Sequence, residues 1–372
     1  FGKPLAAGLT TWADHFRDAG YRTCYVGKWH NQGRPATWGY QTTRGLFGGG
    51  GGRWAVPTFD WNGKSVTGYR GWLFQSADRT YFPERGIGLT SDISTDFANA
   101  SLKFLDTVGK QPFFLHVNFT APHDPLLMPI GYEHIYDPKT LQLPANFRAQ
   151  HAFDHGNFRG RDERLFDWPR TPQEVRRELA VYYSVITHMD GQIGRILDGL
   201  IRTGHRQDTL VLFASDHGLA IGSHGLRGKQ NMYEHTIGVP LIISGPRVPS
   251  GKRIRGQCYL RDLFPTICQL AGVAPPESLD GKSLVPLFHR ESPPIYREVF
   301  GYFRNAQRMI RGDRWKLITY PRINRVQLFD LAHDPDELSD LAADPTHQTT
   351  RMELLTRLRK WQASVGDPLL NR

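Results

Sequence analysis

The amino-acid sequence predicts an α/β fold in which a large, mostly parallel sheet lies between helices and is followed by a small antiparallel sheet. Two observations support this fold class. From residue 9 to residue 270, short apolar segments of strand length alternate with longer segments of helical periodicity. From about residue 293, four short strand-like segments follow one another, with turn residues between them and no intervening helix. We therefore predict a main α/β domain over residues 1–292 and a C-terminal antiparallel subdomain with a closing helix over residues 293–372.

The composition is that of a globular protein. Of the 372 residues, 39% are hydrophobic, and no run approaches the ~18 consecutive apolar residues of a membrane-spanning helix. The net charge of +10 favours anionic partners, but no nucleic-acid-binding motif accompanies it, so we expect no nucleic-acid partner. Three cysteines are too few for a disulfide framework. Cys24 is predicted to lie in the core, whereas Cys258 and Cys268 could pair or remain buried thiols.

The first predicted strand ends in charged and imidazole side chains. An amphipathic helix over Leu9–Ala19 precedes a strand over Tyr21–Val26, and the strand leads into the tetrad Gly-Lys-Trp-His at 27–30. Taken singly, Lys28 is typical of a surface residue and His30 of an ordinary loop. Their position directly after a strand makes them candidates for a ligand site.

A second strand end also carries an imidazole. A capped helix over Thr90–Val108 is followed by a strand over Pro112–Phe119, which runs into Ala-Pro-His-Asp-Pro at 121–125. Prolines on both sides stiffen this loop and would hold His123 in place. His116 lies within the strand and is predicted to be structural.

The third strand end is the most distinctive. The apolar run over Thr209–Ala214 predicts a strand buried on both faces of a parallel sheet, and it ends at Asp216 and His217. An acid and an imidazole can bind a metal or exchange protons. The glycine-rich loop that follows carries His224 and Lys229, and its glycines let the backbone approach a ligand closely.

Two insertions interrupt the regular pattern. Gly33–Arg85 contains four tryptophans and five consecutive glycines, so we expect it to be irregular. Its aromatic rings could form a wall for sugar stacking, or they could pack the loops onto the core. Residues 126–170 form the second insertion, in which two segments are candidates for substrate contact: residues 154–157, which include Asp154 and His155, and residues 159–164, which begin at Arg159. A solvated loop of turn residues explains the same pattern equally well.

The remaining predicted elements complete the α/β pattern. They are helices over Thr171–Thr203, Arg261–Leu270 and Arg351–Ser364 and strands over Tyr296–Phe303, Arg308–Arg311, Trp315–Tyr320 and Val326–Leu331. Because ligands in open α/β sheets bind outside the carboxyl ends of the strands, the three polar strand ends predict one shared site.

Several motifs, taken in order, resemble the sulfatase family of the alkaline-phosphatase-like superfamily. They are Gly27-Lys28-Trp29-His30, Pro122-His123-Asp124-Pro125, Ser215-Asp216-His217-Gly218, Gly222-Ser223-His224-Gly225, Gly228-Lys229, Met232-Tyr233-Glu234-His235 and Val239-Pro240-Leu241-Ile242-Ile243. The resemblance extends from Leu9 to about Leu341. It implies an alkaline-phosphatase-like fold and a hydrolase that removes sulfate from a sulfated carbohydrate or another sulfate ester.

The resemblance also implies roles for individual residues. Contacts to the sulfate group and the leaving-group oxygen would come from Lys28, His30, His123 and Lys229. One divalent metal, Ca²⁺ or alternatively Mg²⁺, would be bound by Asp216 and His217. Because calcium prefers oxygen ligands, His217 could instead hydrogen-bond the sulfate. Further substrate contacts are expected from His224, Asp154, His155 and Arg159.

The family nucleophile is a hydrated formylglycine made from the first residue of a Cys/Ser-x-Pro-Ser-Arg motif, and two aspartates near the N-terminus complete the metal site. The 372-residue chain contains neither this motif nor an Asp-Asp pair in its N-terminal part. We therefore expect the first strand, the formylglycine and the remaining metal ligands upstream of Phe1. We also expect the chain alone to be inactive.

Two other functions remain open. A phosphodiesterase or phosphonate hydrolase of the same superfamily would differ in the nucleophile segment. A non-catalytic protein that binds sulfated glycans would keep the basic cleft and lack the nucleophile. The resemblance implies a periplasmic or extracellular location, and no membrane span is expected.

Overall fold

The computed structural model describes residue 6, residues 8–289 and residues 292–370. The chain divides into two compact units. The first unit comprises the chain up to residue 141 together with residues 176–209, and the second comprises residues 142–175 together with the chain from residue 210 onward. The predicted domain division at residue 292 stays a prediction.

The regular elements follow the predicted α/β order. The helices are α1 (Trp12–Asp18), α2 (Ile93–Val108), α3 (Pro172–Arg202), α4 (Glu234–Ile237), α5 (Leu263–Ala271) and α6 (Gln348–Ser364). The strands are β1 (Arg22–Lys28), β2 (Thr42–Gly49), β3 (Thr58–Phe59), β4 (Ser65–Val66), β5 (Trp72–Gln75), β6 (Phe113–Asn118), β7 (Val211–Ala214), β8 (Leu241–Ser244), β9 (Val299–Phe303), β10 (Gln307–Arg311), β11 (Trp315–Tyr320) and β12 (Arg325–Asp330). No helix in the part of the chain that the structure describes is both long and apolar enough to cross a membrane.

The first unit contains a four-stranded sheet in the order β5-β2-β1-β6. Strand β1 pairs in parallel with both β2 and β6, and β5 pairs antiparallel with β2. The middle of β1 is buried, including Cys24 as predicted, and α2 packs against this sheet. Since β1 and β6 run in parallel, the residues that follow them emerge at the same edge.

The N-terminal helix begins later than the periodicity predicts. Helix α1 starts at Trp12 because Thr11 caps it. The Thr11 hydroxyl accepts from the backbone N–H of Asp14 at 3.1 Å, and the Asp14 carboxylate accepts from the backbone N–H of Thr11 at 3.3 Å. This reciprocal capping box satisfies two donors of the first turn and sets the start of the helix.

The insertion over Gly33–Arg85 is less irregular than predicted, because it supplies β2 and β5. Gly48 and Gly49 are the last residues of β2 rather than part of a loop. A Cβ on Gly48 would lie 2.5 Å from Nε2 of Gln75, so glycine permits the close approach of β5. Pairing on both sides of β2 outweighs the low strand propensity of its glycines.

The second unit contains the predicted four-stranded antiparallel sheet, in the order β12-β11-β10-β9. One cluster of buried side chains joins this sheet to α6, through Leu354 and Leu358. A second cluster joins it to the loop after β7, through Leu226, Met232 and Tyr233. The glycine-rich loop is therefore packed on a sheet rather than extended into solvent.

Strand β7 differs from its prediction. Its four residues are only half-buried, and its strand partner among the described residues is β8, which runs antiparallel. A short apolar run does not reveal the direction of the neighbouring strand, because the same sequence can pair either way.

All three cysteines are free thiols, with Cys258 exposed and Cys268 buried.

Candidate active site

The close pairing of β1 and β6 places Lys28 at the sheet edge. Gly27 pairs with Asn118 and has a φ of +96°, in the left-handed region. A Cβ at this position would collide with the backbone carbonyl of Asn118, so only glycine fits. The Lys28 carbonyl accepts from the Tyr25 hydroxyl and from Nδ2 of Asn118 at 3.4 Å. The backbone of Lys28 is therefore held by one side chain from β1 itself and by one from the neighbouring strand β6.

Two aromatic rings gather the predicted residues of the first unit. The Lys28 ammonium lies 5.3 Å from the centre of the Tyr69 ring, and the His123 ring meets Tyr69 edge-on at 4.9 Å. Trp72 contacts Tyr69 at 5.1 Å and His30 at 5.1 Å, also edge-on. The structure thus brings Lys28, His30 and His123 together around one aromatic pair.

Sequence reasoning missed the role of Tyr69. It lies in the aromatic-rich insertion, where many rings are equally good candidates. Tyr69 is buried and has a φ of +56°, which is uncommon for a residue other than glycine. A positive φ at a buried tyrosine indicates that its surroundings constrain the side chain. The sequence does not show this backbone angle.

The tautomer of His123 follows from its contacts. Nδ1 lies 2.7 Å from the carbonyl of Asp124 and 3.2 Å from the carboxylate of the same residue. Since a carbonyl only accepts, Nδ1 carries the proton. The lone pair is then on Nε2, which can take up a proton and later donate it.

Asp216 and His217 follow β7 in the second unit. The side chain of Asp216 is 72% exposed, and its Oδ2 lies 3.4 Å from Nε2 of His217. The backbone N–H of His217 donates to Oδ1 of Asp216 at 3.0 Å, and Gly218 is held by Thr236 at 2.9 Å. A Cβ on Gly218 would collide with the carbonyl of His235, so this turn requires glycine.

These two residues do not make a complete calcium site by themselves. Calcium takes six to eight oxygen ligands, whereas Asp216 offers one carboxylate and His217 a nitrogen. No group of three or more histidine, cysteine or acidic residues in the described part of the chain is arranged to hold a metal. The described residues therefore supply at most part of a ligand set.

Lys229 lies in the glycine-rich loop and is half-buried. A Cβ on the preceding Gly228 would lie 2.8 Å from Oε1 of Glu163, so glycine allows a close backbone approach. Burial by itself raises the pKa of Asp162, but the positive charges of Arg161 and Lys229 outweigh it and leave the pKa below its usual value. The Asp162 carboxylate is therefore a charged neighbour of the Lys229 ammonium.

His224 and His155, predicted as substrate-binding residues, lie in the interior of the second unit. His224 is 5% exposed, stacks on Tyr233 at 3.9 Å, and places Nε2 3.1 Å from Nδ2 of Asn146. His155 is 1% exposed, and neither of its ring nitrogens has a hydrogen-bond partner. Burial lowers the pKa of each imidazole to about 3. A role in substrate binding stays a prediction for both, and their burial favours a role in packing.

Asp154 and Arg159 are exposed on the same insertion. Oδ1 of Asp154 accepts from the backbone N–H of Gly156 at 2.8 Å, which is a local turn. This matches the solvated-turn alternative that the sequence left open, and substrate contact by these residues stays a prediction. His116 is half-buried, with Nδ1 2.7 Å from the Tyr40 hydroxyl, and the loss of solvent around its ring lowers its pKa to about 4. Its contacts are structural, as predicted.

Comparison with known proteins gives consistent matches. The sulfatase family model matches residues 2–273, and the model of the C-terminal part of N-sulphoglucosamine sulphohydrolase matches residues 222–364. The choline-sulfatase of Rhizobium meliloti (strain 1021) is 30% identical over 393 residues, covering 97% of this chain and 72% of the relative. The chain spans 54% to 72% of the length of three curated relatives that it matches.

Two solved structures share the fold. BT4656 in complex with its substrate D-glucosamine-2-N,6-O-disulfate has a TM-score of 0.73 at 19% identity, covering 99% of this chain and 85% of that chain. The phosphonate monoester hydrolase SpPMH from Silicibacter pomeroyi has a TM-score of 0.72 at 22% identity, covering 99% and 83%. At such identities the likeness confirms the predicted alkaline-phosphatase-like α/β fold.

Proposed function

Since this chain belongs to the sulfatase family of enzymes, as predicted, we propose that its Lys28, His30, His123 and Lys229 serve the hydrolysis of a sulfate ester on a carbohydrate. The observation that carries the proposal is the convergence of Lys28 and His123 on Tyr69. A cation and a proton-exchanging imidazole, supplied by adjacent parallel strand ends, suit an anionic ester whose leaving oxygen needs a proton.

Each residue has a distinct chemical task in this proposal. The ammonium groups of Lys28 and Lys229 hold sulfuryl oxygens and stabilise negative charge that moves toward the bridging oxygen as the S–O bond breaks. Nε2 of His123 exchanges a proton with substrate or leaving alcohol, while Asp124 keeps Nδ1 protonated. His30 borders the same cluster through Trp72.

A formylglycine nucleophile and a divalent metal, Ca²⁺ or Mg²⁺, belong to the proposal through the family resemblance, and the 372-residue sequence contains no formylglycine motif. Asp216 would be the metal ligand from this chain, with His217 as a second ligand or a hydrogen-bond donor to sulfate. The metal would neutralise charge on the sulfuryl group. The proposed location is periplasmic or extracellular.

Two features support a carbohydrate substrate. BT4656, which shares the fold, was solved with a sulfated glucosamine, and the C-terminal family match is to a sulphoglucosamine sulphohydrolase. The net charge of +10 suits a polyanion. The phosphonate monoester hydrolase with the same fold makes phosphonate or phosphodiester hydrolysis the second candidate.

The test is a substrate panel on the full-length gene product: a sulfated glucosamine, choline sulfate, an aryl sulfate and an aryl phosphonate monoester. We expect the highest kcat/KM for the sulfated sugar. A preference for the phosphonate would favour the second candidate, and binding of sulfated sugar without turnover would favour a binding protein. The 372-residue chain alone is expected to give no turnover.

Lys28→Ala should lower kcat/KM of the full-length protein by about 10²–10³-fold, the usual effect of removing one preorganised donor. The control is His116→Ala, which removes a half-buried ring that is hydrogen-bonded to Tyr40 and should lower the melting temperature instead. Activity per folded molecule of the control should stay near that of the parent. Normal turnover by Lys28→Ala would remove this residue from the site.

A further inference from the structure

Two acidic residues lie directly beneath the loop that carries Lys229. Asp162 and Glu163 stand next to each other in the second insertion, and both are fully buried. Asp162 accepts from Nε2 of Gln230 at 2.8 Å and is a charged neighbour of Lys229. Glu163 begins a short 3-10 helix over Glu163–Leu165. Because both carboxylates are buried, they interact with groups inside the protein and not with solvent.

Glu163 binds the loop backbone with both of its oxygens. Oε2 accepts from the backbone N–H of Arg227 at 2.9 Å, and Oε1 accepts from the backbone N–H of Gly228 at 2.8 Å. Arg227 and Gly228 are the two residues that immediately precede Lys229. A carboxylate that accepts two adjacent N–H groups sets both the position and the direction of the chain at that point.

Arg170 in turn holds Glu163. Its guanidinium donates to Oε2 of Glu163 at 2.7 Å and to the backbone carbonyls of Glu163 and Phe166, at 2.9 Å and 2.5 Å. It also lies 3.4 Å from the centre of the Trp168 ring. Burial lowers the pKa of Arg170 to about 10, so it remains charged at neutral pH. Glu163 is therefore held by Arg170 on one side and by the loop backbone at Arg227 and Gly228 on the other.

The peptide on the other side of Lys229 is held as well. Nε2 of Gln307, on β10, donates to the carbonyl of Gln230 at 3.0 Å. The Gln230 side chain accepts from the backbone N–H of Lys229 at 3.3 Å. The backbone is therefore anchored on both sides of Lys229.

We propose that Glu163, held by Arg170, is a positioning residue for Lys229 in sulfate-ester hydrolysis. Glu163 does not touch substrate; it fixes the Arg227–Gly228 backbone so that the Lys229 ammonium is already in place when charge develops in the transition state. This inference rests on the proposed function, which assigns Lys229 to the sulfuryl group. Gly228 is glycine because a side chain there would push the loop off Glu163.

The test is a double-mutant cycle on the full-length protein with an aryl sulfate. Glu163→Gln replaces one accepting oxygen by an amide N–H₂ that faces a backbone donor, so the loop loses an anchor. With Lys229 present, this change should lower kcat/KM per folded molecule by about 10–10²-fold, as expected for a misplaced catalytic group. With Lys229→Ala as the background, it should change kcat/KM by less than about threefold, because the group that it positions is gone.

A matched control separates positioning from stability. Arg308 and Asp367 form a second buried ion pair in the same unit, with Nη2 2.8 Å from Oδ1. Asp367→Asn removes a buried carboxylate from an arginine, as Glu163→Gln does, but the hydrogen bonds of Asp367 go to Arg308, Gln362 and Leu369 and not to residues 227–230. It should lower the melting temperature and leave kcat/KM per folded molecule unchanged.

Gly228→Ala covers the case in which Glu163→Gln does not fold. Its Cβ would press on Oε1 of Glu163 and displace the same backbone while keeping every charge. It should show the same dependence on Lys229. Equal losses in both backgrounds would overturn the positioning role alone. An unchanged kcat/KM in Lys229→Ala itself would instead refute the assignment of Lys229, and the positioning role with it.

Discussion

The two groups of predicted site residues are held in different ways. In the first unit, Lys28, His30 and His123 lie around the rings of Tyr69 and Trp72, and the contacts are edge-on or cation–π. In the second unit, Lys229 sits in a loop whose peptides are bound by a buried, charged network built on Glu163. Ring contacts are weak and tolerate small shifts, whereas charge-assisted hydrogen bonds to backbone are directional.

The two units also differ in how deeply their histidines are buried. The second unit keeps His151, His155 and His224 buried and His235 half-buried beside Tyr233, with Nε2 of His151 3.0 Å from the Tyr233 hydroxyl. These imidazoles are neutral parts of the core. His123 is partly exposed, with 17% of its side chain accessible, and is available for proton exchange. The same residue type thus lies in a buried cluster in one unit and at a partly exposed position beside Tyr69 in the other.

Acid should break the second unit, and this is the largest effect that we expect. Burial lowers the pKa of His151 to about 4 and of His155 and His224 to about 3, against about 6.5 in an unfolded chain. Above pH 6.5 neither state binds these protons. Below it the unfolded state binds them and the folded state does not, so the free energy of unfolding should fall from pH 6.5 down to about pH 3–4.

Denaturant unfolding at a series of pH values measures how the free energy of unfolding changes with pH. Each unit of pKa shift changes that free energy by about 1.4 kcal/mol per group. His155→Phe is the control, because the ring nitrogens of His155 have no hydrogen bonds to lose. It should reduce the number of protons taken up on unfolding by about one. A stability that does not change between pH 6.5 and pH 4 would contradict the prediction.

The second prediction compares the two lysines by exchanging each for arginine. Lys229→Arg should lower kcat/KM about tenfold, because a planar fork does not replace a compact ammonium beside Asp162 in a fixed loop. Lys28→Arg should cost less than about fivefold, because a guanidinium also stacks on Tyr69. Steady-state kinetics of the two full-length variants decides the matter, and equal losses would show that the two lysines are held alike.

The smallest effect is expected at Tyr69 itself. Tyr69→Leu removes the ring that Lys28 and His123 share, and a cation–π contact made by the half-buried Lys28 ammonium is worth about 0.5–1 kcal/mol, or roughly two- to fivefold in kcat/KM. Tyr69→Phe keeps the ring and should stay close to the parent. If the phenylalanine variant lost as much as the leucine variant, the hydroxyl rather than the ring would be the important group.

Much of this architecture could be predicted from sequence. The apolar runs of β1 and β6 and the four C-terminal strands were each recognisable, since strand and helix patterns depend on residues two to four positions apart. The polar residues at the strand ends were visible for the same reason. The sequence therefore predicts Lys28 and His123 at the ends of neighbouring strands, as the structure has them.

Other features could not be predicted in this way. The glycine-rich segment that became the end of β2 looked irregular, because sequence does not show that Gln75 of a neighbouring strand would come so close to Gly48. His224 and His155 were expected to face substrate, yet burial depends on which elements pack around them. Asp162 and Glu163 lie within residues 159–164, which are predicted to contact substrate, and this prediction is wrong for both because they are buried beneath the loop of Lys229.

The sequence alone determined the α/β class, the family and the residue types that stand at three strand ends, because these follow from local periodicity and short motifs. Tertiary structure decided which partners hold those residues. The carboxylate of Glu163 and the amide of Gly228 are 65 positions apart, and they meet only because the loop after β7 folds back over the second insertion. Local sequence patterns do not encode such contacts, since the path of the chain between the two residues decides whether they form.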